Sequence, residues 1–233
     1  MRKVIELKNV WKTYEMGENK VHALRGVNLV VSAQEFVAIQ GPSGSGKSTA
    51  MNLIGCLDVP SQGTIYLDGQ DIAKLHESDL AQIRGRTIGF VFQKFNLIPT
   101  LSAMQNVMLP LIFQGVPEPE RERKAKELLT LVGLGDRMDH KPGELSGGQQ
   151  QRVAIARALA TDPEVILADE PTGNLDSATG KMILDMLRML NKKQKKTIVL
   201  VTHDDVLAHH ADRIAFLKDG LVTGSKKVIH KEV

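Results

Sequence analysis

The sequence predicts an α/β fold: a mostly parallel sheet covered by helices on both faces, an antiparallel β part near the N-terminus, and a separate helical lobe. Three observations predict it. The short apolar runs Phe36–Ile39, Val165–Ala168 and Thr197–Val201 have the composition of strands buried on both faces. Helical periodicities lie between them, as parallel pairing requires a crossover. A glycine-rich segment, Gly41 to Ser48, directly follows the first run and precedes a helical pattern.

Taken in order, Val4–Leu7 and then Val27, Leu29 and Val31 alternate as half-buried strands. Ser48–Leu57 reads as a helix, and Thr64–Leu67 as a strand bounded by Gly63 and the turn pair Asp68-Gly69. The close spacing of these early strands predicts antiparallel pairing. Ile88–Phe92 is a further strand, followed by an apolar stretch from Phe95 to Phe113 that Pro99 and Pro110 are expected to break. Behind the charged run Glu118–Glu127, residues Ala125, Leu128, Leu129 and Val132 fall at helical spacing, and Gly133 ends that helix. Another helix starts at Ser146 and runs to Ala160, before Asp162-Pro163. Ile183, Met186, Leu187 and Leu190 mark one more helical face, and helix and strand alternate to Leu217. The chain is thus expected to be one domain: a nucleotide-binding core over about 1–92 and 161–224, a helical lobe over about 93–160, and a tail from 225 to 233.

Composition narrows the function. Of the 233 residues 42% are hydrophobic, which excludes a disordered chain, and Lys+Arg 30 against Asp+Glu 27 leaves +3, too small a charge to argue for nucleic acid. The basic clusters Lys192-Lys193-Gln194-Lys195-Lys196 and Lys226-Lys227 read as a solvated helix end and tail. No apolar run approaches the ~18 to 20 residues a membrane span needs. Cys56 is the single cysteine, and the N-terminus carries no apolar leader, so a cytoplasmic, reducing compartment is expected.

Gly41-x-x-x-x-Gly46-Lys47-Ser48 has the phosphate-loop pattern, with a strand before it and a helix after it. Glycines let successive N–H groups converge on one concavity at a helix N-terminus, where partial positive charge favours an anion. Lys47 is expected to meet the β- and γ-phosphates and Ser48 to offer its hydroxyl to Mg²⁺, and a larger side chain at Gly46 is expected to occupy the phosphate's place. The apolar strand ending in Asp169-Glu170 brings two carboxylates to the same sheet edge: Asp169 suits the Mg²⁺ shell and Glu170 a general base acting on the attacking water. Leu145-Ser146-Gly147-Gly148-Gln149 opens a second helix with small residues. Two glycines there cost about 1 kcal/mol each relative to alanine, which predicts a second anion site.

Gly41 to Ser48, Gln93, Leu145 to Gln149, Ile166 to Glu170, Asn174-Leu175-Asp176 and His203 stand in the order and spacing of the ATP-binding subunits of ABC transporters, which the chain resembles over about residues 2 to 224. The resemblance implies the phosphate-loop NTPase core of the ABC ATPases, with an inserted helical subdomain, closing as a head-to-tail homodimer over two Mg·ATP. It implies that Tyr14 stacks on adenine, that Gly41, Ser43, Gly44, Ser45, Gly46, Lys47, Ser48 and Thr49 bind phosphate, and that Ser48, Gln93 and Asp169 approach Mg²⁺. Glu170 would be the base, His203 would contact the γ-phosphate, and Asp176 would lie at the dimer seam. Ser146, Gly147, Gly148 and Gln149 would act in trans on the partner's nucleotide, which accounts for the surplus anion site.

A chain of this kind without a span implies a separate transmembrane permease subunit, holding it at the inner face of the cell membrane. Phe95 to Leu101 is the expected contact, since the apolar residues after Gln93 exceed what a small lobe needs; the alternative use of the same residues is a packed lobe core. Phe92 to Pro99, Pro171 to Asp176 and Gln149 to Arg152 resemble the lipoprotein-release and macrolide-export group, which implies export, lipoprotein extraction or force transmission. Repair and chromosome ATPases insert long coiled coils between the two motifs, and no sustained heptads lie between Ser48 and Leu145. Ribosomal ATPases usually carry two cassettes, and here there is one phosphate loop. An ATPase regulating a cell-division membrane complex without moving solute is the alternative.

Overall fold

The computed structural model of the protein describes residues 2–17 and 19–230. In chain order it comprises β1 (Lys3–Met16), β2 (Asn19–Ser32), β3 (Phe36–Gln40), α1 (Lys47–Ile54), β4 (Gln62–Leu67), β5 (Gln70–Asp71), α2 (Glu77–Thr87), β6 (Ile88–Phe92), α3 (Ala103–Phe113) and α4 (Glu118–Leu131). It continues with α5 (Gly147–Leu159), β7 (Val165–Asp169), α6 (Ser177–Gln194), β8 (Thr197–Thr202), α7 (Asp205–Ala208), β9 (Arg213–Lys218) and β10 (Leu221–Lys227).

Alternation along the buried strands divides the core in two. Phe36 and Ala38, Ile166 and Ala168, Ile198 and Leu200 face the helices α3 to α6. Val37 and Ile39, Val165 and Leu167, Val199 and Val201 face α1 and the N-terminal sheet. Both faces are covered, so these strands need no polar side, which is why they read as unbroken apolar runs.

The larger sheet has the order β10-β9-β3-β8-β7-β6, parallel throughout except for the β9/β10 hairpin at one edge. The smaller, ordered β2-β1-β4-β5, is antiparallel, as expected from its turns. Parallel register aligns the strand ends: Phe92 of β6 pairs with Asp169 of β7, Asp169 with Val201 of β8, and Thr202 with Gln40 of β3. The residues that follow, Gln93, Glu170, His203 and Gly41, therefore leave the sheet at one carboxyl edge.

Three expectations are corrected. Pro110 does not break the apolar stretch: α3 runs through it, started by a reciprocal capping box between Ser102 and Gln105. Val107 is fully buried among the lobe helices and Leu97 packs against the same core, so part of the apolar stretch after Gln93 is lobe core, whereas Ile98, Ile112 and Phe113 stay exposed. The tail starts later than 225, because β10 continues to Lys227; positions 231–233 of the expected tail lie outside the described residues.

Candidate active site at the carboxyl edge of the parallel sheet

The turn from β3 into α1 is made by glycines that no other residue replaces without cost. Gly44 and Gly46 have φ of +77° and +100°, where side chains are strained. A Cβ on Gly41 would come within 2.0 Å of the Leu217 carbonyl, and one on Gly46 within 2.4 Å of the Ala23 carbonyl. Gly46 is therefore needed for close packing against β2. A side chain there would strike that strand, which corrects the expectation that it would take the phosphate's place. Lys47 is largely buried, and its ammonium donates to the carbonyls of Gly41 and Pro42, 2.8 Å each, curling the side chain back over the loop. Ser45 Oγ is buried without a hydrogen-bond partner.

A cavity of about 690 Å³ opens in front of this loop, lined by Ser43, Gly44, Gly46, Lys47, Ser48 and Thr49 on one side and by Asp169, Glu170 and His203 on the other. The phosphate loop and the acidic strand end thus face one space. Glu170 sits at φ +44°, a conformation that turns the chain off the sheet. Its carboxylate is fixed: Thr202 Oγ1 donates to Oε2 at 3.1 Å, the His203 N–H donates to Oε1 at 3.0 Å, and His203 Nδ1 lies 2.7 Å from the same oxygen. Burial pushes the Asp169 carboxyl above the usual aspartate range, the Glu170 charge beside it pushes the same way, and Lys47 opposes both.

That arrangement fits a divalent cation. Two carboxylates crowd one another, one of them partly desolvated, and the Ser48 hydroxyl lines the same cavity, so hard oxygen donors are gathered where positive charge relieves the repulsion. Gln93 is not part of this donor set. It leaves β6 at the right edge, but its Nε2 donates to Asn174 Oδ1 at 3.3 Å and Asn174 Nδ2 donates back to the Gln93 carbonyl at 2.9 Å, so the side chain pairs with the loop after β7.

The remaining wall comes from residues without a motif. Val21, His22, Ala23 and Arg25 of β2 and the Asp219-Gly220 turn line the cavity. Gly220 ties them together, its N–H donating to the Ser45 carbonyl (3.0 Å) and its carbonyl accepting from the Arg25 N–H (2.8 Å). The Asp-Gly pair after β9 is a readable turn signal; the approach of β2 to the phosphate loop is purely tertiary. Tyr14 does not line the cavity. It is the cross-strand partner of Val21, which does, and the residue is 36% exposed.

The signature segment lies elsewhere. Ser146 accepts from the Gln149 N–H and Gln149 Oε1 accepts from the Ser146 N–H, a capping box that starts α5. Gly148 has a local reason as well: a Cβ there would be 2.3 Å from Thr179 Cγ2 of α6. One on Gly147 would lie 3.3 Å from Leu175. Asp176 caps α6, accepting from the N–H groups of Ala178 and Thr179; the Thr179 hydroxyl first, and then these N–H groups, hold its carboxyl below the usual range. None of Ser146 to Gln149 or Asp176 lines the phosphate-loop cavity. Gln151, two residues further on and fully buried, donates to the Pro171 carbonyl at 2.6 Å, and Pro171 is the residue after Glu170.

A phosphate loop facing an acidic strand end across one cavity, in a parallel sheet with a helical insertion, defines a nucleotide-hydrolysing protein of the phosphate-loop class. The sequence model of the ABC transporter family matches residues 24–173. An ABC transporter ATP-binding protein of Thermotoga maritima is 55% identical over 227 residues, covering 97% of both chains. The macrolide export ATP-binding/permease protein MacB of Syntrophobacter fumaroxidans is 51% identical over 221 residues, 94% of this chain but 31% of that protein. Among solved structures, the dimeric post-hydrolysis state of the ATP-binding cassette MJ0796 with ADP and Pi superposes at a TM-score of 0.90, with 52% identity, covering 97% of this chain and all (100%) of that one; MJ0796 belongs to Methanocaldococcus jannaschii. The chain belongs to the ABC transporter family: it is an ATP-binding cassette, and its enzymatic class is that of the ABC ATPases. Among the described residues no helix is long and apolar enough to cross a membrane.

Proposed function

We propose that two copies of this chain close head to tail over two Mg·ATP, hydrolyse them, and transmit closure and opening to a separate transmembrane permease subunit in an export, lipoprotein-release or force-transmitting system. The observation that carries this reading is that the phosphate-loop cavity contains Lys47, Asp169, Glu170 and His203 but no residue of the Ser146–Gln149 helix start. One chain holds two helix N-termini suited to phosphate, apart from one another, and a second copy brings them together. The dimeric state of MJ0796 and the permease fused to the MacB cassette support the same reading.

In the proposed reaction Lys47 leaves the Gly41 and Pro42 carbonyls for the phosphates, while the loop N–H groups of Ser43 to Thr49 cradle them. Tyr14 offers its exposed ring to adenine. Mg²⁺, held by Ser48 and Asp169, would supply charge neutralisation on the phosphates; Gln93 would have to release Asn174 to join them. Glu170 accepts a proton from the attacking water, and His203, braced on Glu170, holds that water in line with the γ-phosphate. Ser146, Gly147, Gly148 and Gln149 of the other copy complete the charge stabilisation, with Asp176 at the seam. Catalysis is positioning plus electrostatics, without a covalent intermediate.

The permease contact is proposed at Phe95 to Leu101 together with the exposed Ile112 and Phe113 of α3. Leu109, Pro110 and Phe113 line a groove of about 720 Å³ shared with Arg86 and Arg157. Such a contact would hold the chain at the cytoplasmic face of the membrane. Nucleic acid is not a proposed partner: of the Lys192–Lys196 cluster, Lys192 pairs with Asp212 and Lys196 with Asp162. Affinity capture from detergent-solubilised membranes tests the reading. Recovery of a membrane-spanning protein, lost on Phe113→Asp, is expected; recovery of ribosomes or DNA instead would reverse it.

A further inference from the structure

Tyr14 is held by two side chains that lie outside the nucleotide-binding motifs, Lys12 and Asp58. Lys12 and Tyr14 are two apart on β1 and so share a face of the sheet. The Lys12 ammonium stands over the Tyr14 ring, 5.1 Å from its centroid. The phenol donates to Asp58 Oδ2 at 3.1 Å, and Asp58 Oδ1 accepts from Lys12 Nζ at 2.5 Å. Lys12 also donates to the Val59 carbonyl, and Asp58 accepts from the Val59 N–H, so the pair is anchored to backbone. The Lys12 side chain is 11% exposed and Asp58 25%, which makes this pair far less solvated than an ordinary surface bridge. The cation thus stands over one face of the ring, and the residue as a whole keeps 36% of its surface exposed.

Asp58 lies in the turn after α1, the helix that begins at the phosphate loop. The Thr49 side chain, in the first turn of that helix, is a second neighbour of the phenol. The platform and the phosphate loop are thus connected through one short helix. We infer that Asp58, braced by Lys12, is a positioning residue that fixes the Tyr14 ring at a set place relative to the phosphate loop, so that the base and the triphosphate are engaged together. This rests on the reading of Tyr14 as the adenine platform.

The test compares affinity for ATP with affinity for inorganic tripolyphosphate, which has the charge but no base. For Asp58→Ala the preference for ATP should fall about three- to tenfold, the effect of one hydrogen bond, while tripolyphosphate affinity stays constant. Tyr14→Phe, which removes only the hydroxyl, should do the same, and the double variant should be no worse than the more affected single one. Asp58→Asn, which retains an acceptor, should recover part of the preference. An unchanged ratio for both Asp58→Ala and Tyr14→Phe, or equal weakening of both ligands, would overturn the inference. Tyr14→Ala separates the two levels: if it too leaves the ratio unchanged, the platform reading fails; if it alone abolishes the preference, only the role of Asp58 is lost.

Discussion

His203 Nδ1 lies 2.7 Å from Glu170 Oε1, and the His203 backbone N–H donates to that same oxygen at 3.0 Å. The ends of β7 and β8 are thereby joined directly through the proposed base and the proposed γ-phosphate contact. Glu170→Gln preserves the size and most of these hydrogen bonds but cannot take a proton. Its turnover should fall about 10²- to 10⁴-fold, with ATP affinity nearly unchanged. Single-turnover hydrolysis and equilibrium nucleotide binding separate the two effects.

The phosphate-loop glycines should differ from one another. Gly46→Ala meets both a positive φ and the Ala23 carbonyl, and should lose at least about 2 kcal/mol of stability. Gly44→Ala has nothing within 4 Å of its Cβ and should lose only the conformational cost, about 1 kcal/mol. Urea denaturation of the two variants checks the order.

Asp169 carries a pH prediction. Burial and then the Glu170 charge raise its carboxyl pKa on folding, so its ionised form costs the nucleotide-free protein stability: the cost builds as the pH rises above the unfolded value, is complete above the folded one, and is relieved by acidification. Asp169→Asn should therefore melt at a higher temperature than the parent at pH 7, the gap narrowing as pH falls towards about 4. Hydrolysis should be lost in the same variant. Thermal melts across pH, without nucleotide, read the first effect.

Gly148 is predicted to be structural as well as functional. Gly148→Ala should cost about 1–3 kcal/mol through overpacking against Thr179. Thr179→Ser, which removes the clashing methyl, should restore much of it. A rescue of stability without a rescue of hydrolysis would separate the two roles.

The sequence was most legible where local chemistry and tertiary structure agree. The buried strands, the Gly41–Ser48 turn and the Asp169-Glu170 strand end are readable because apolar runs, glycines and paired carboxylates each have few alternative uses. The α2 helix was not legible: only Leu80 is buried on it, and an eleven-residue segment with so little apolar surface gives no periodic signal. Pro110 costs α3 one backbone hydrogen bond, and the helix persists because its capped start and its buried Val107 and Leu111 outweigh that loss, neither of which a proline signal reveals. The β2 wall of the cavity and the Gln93–Asn174 pair depend on contacts between segments distant in sequence, to which no local pattern points. At Gly46 the pattern specifies the residue type but not its reason, since the direction in which a Cβ would point is a property of the fold.

Completion of the nucleotide site by a second copy, as proposed, is read by the molar mass of the Glu170→Gln variant in solution with and without ATP. The mass should double on adding ATP. Ser146→Arg in that background loses a helix cap worth about 1 kcal/mol and should remain folded, bind ATP and stay monomeric. A Glu170→Gln protein that remains monomeric at saturating ATP, or a dimer indifferent to Ser146→Arg, would contradict the account.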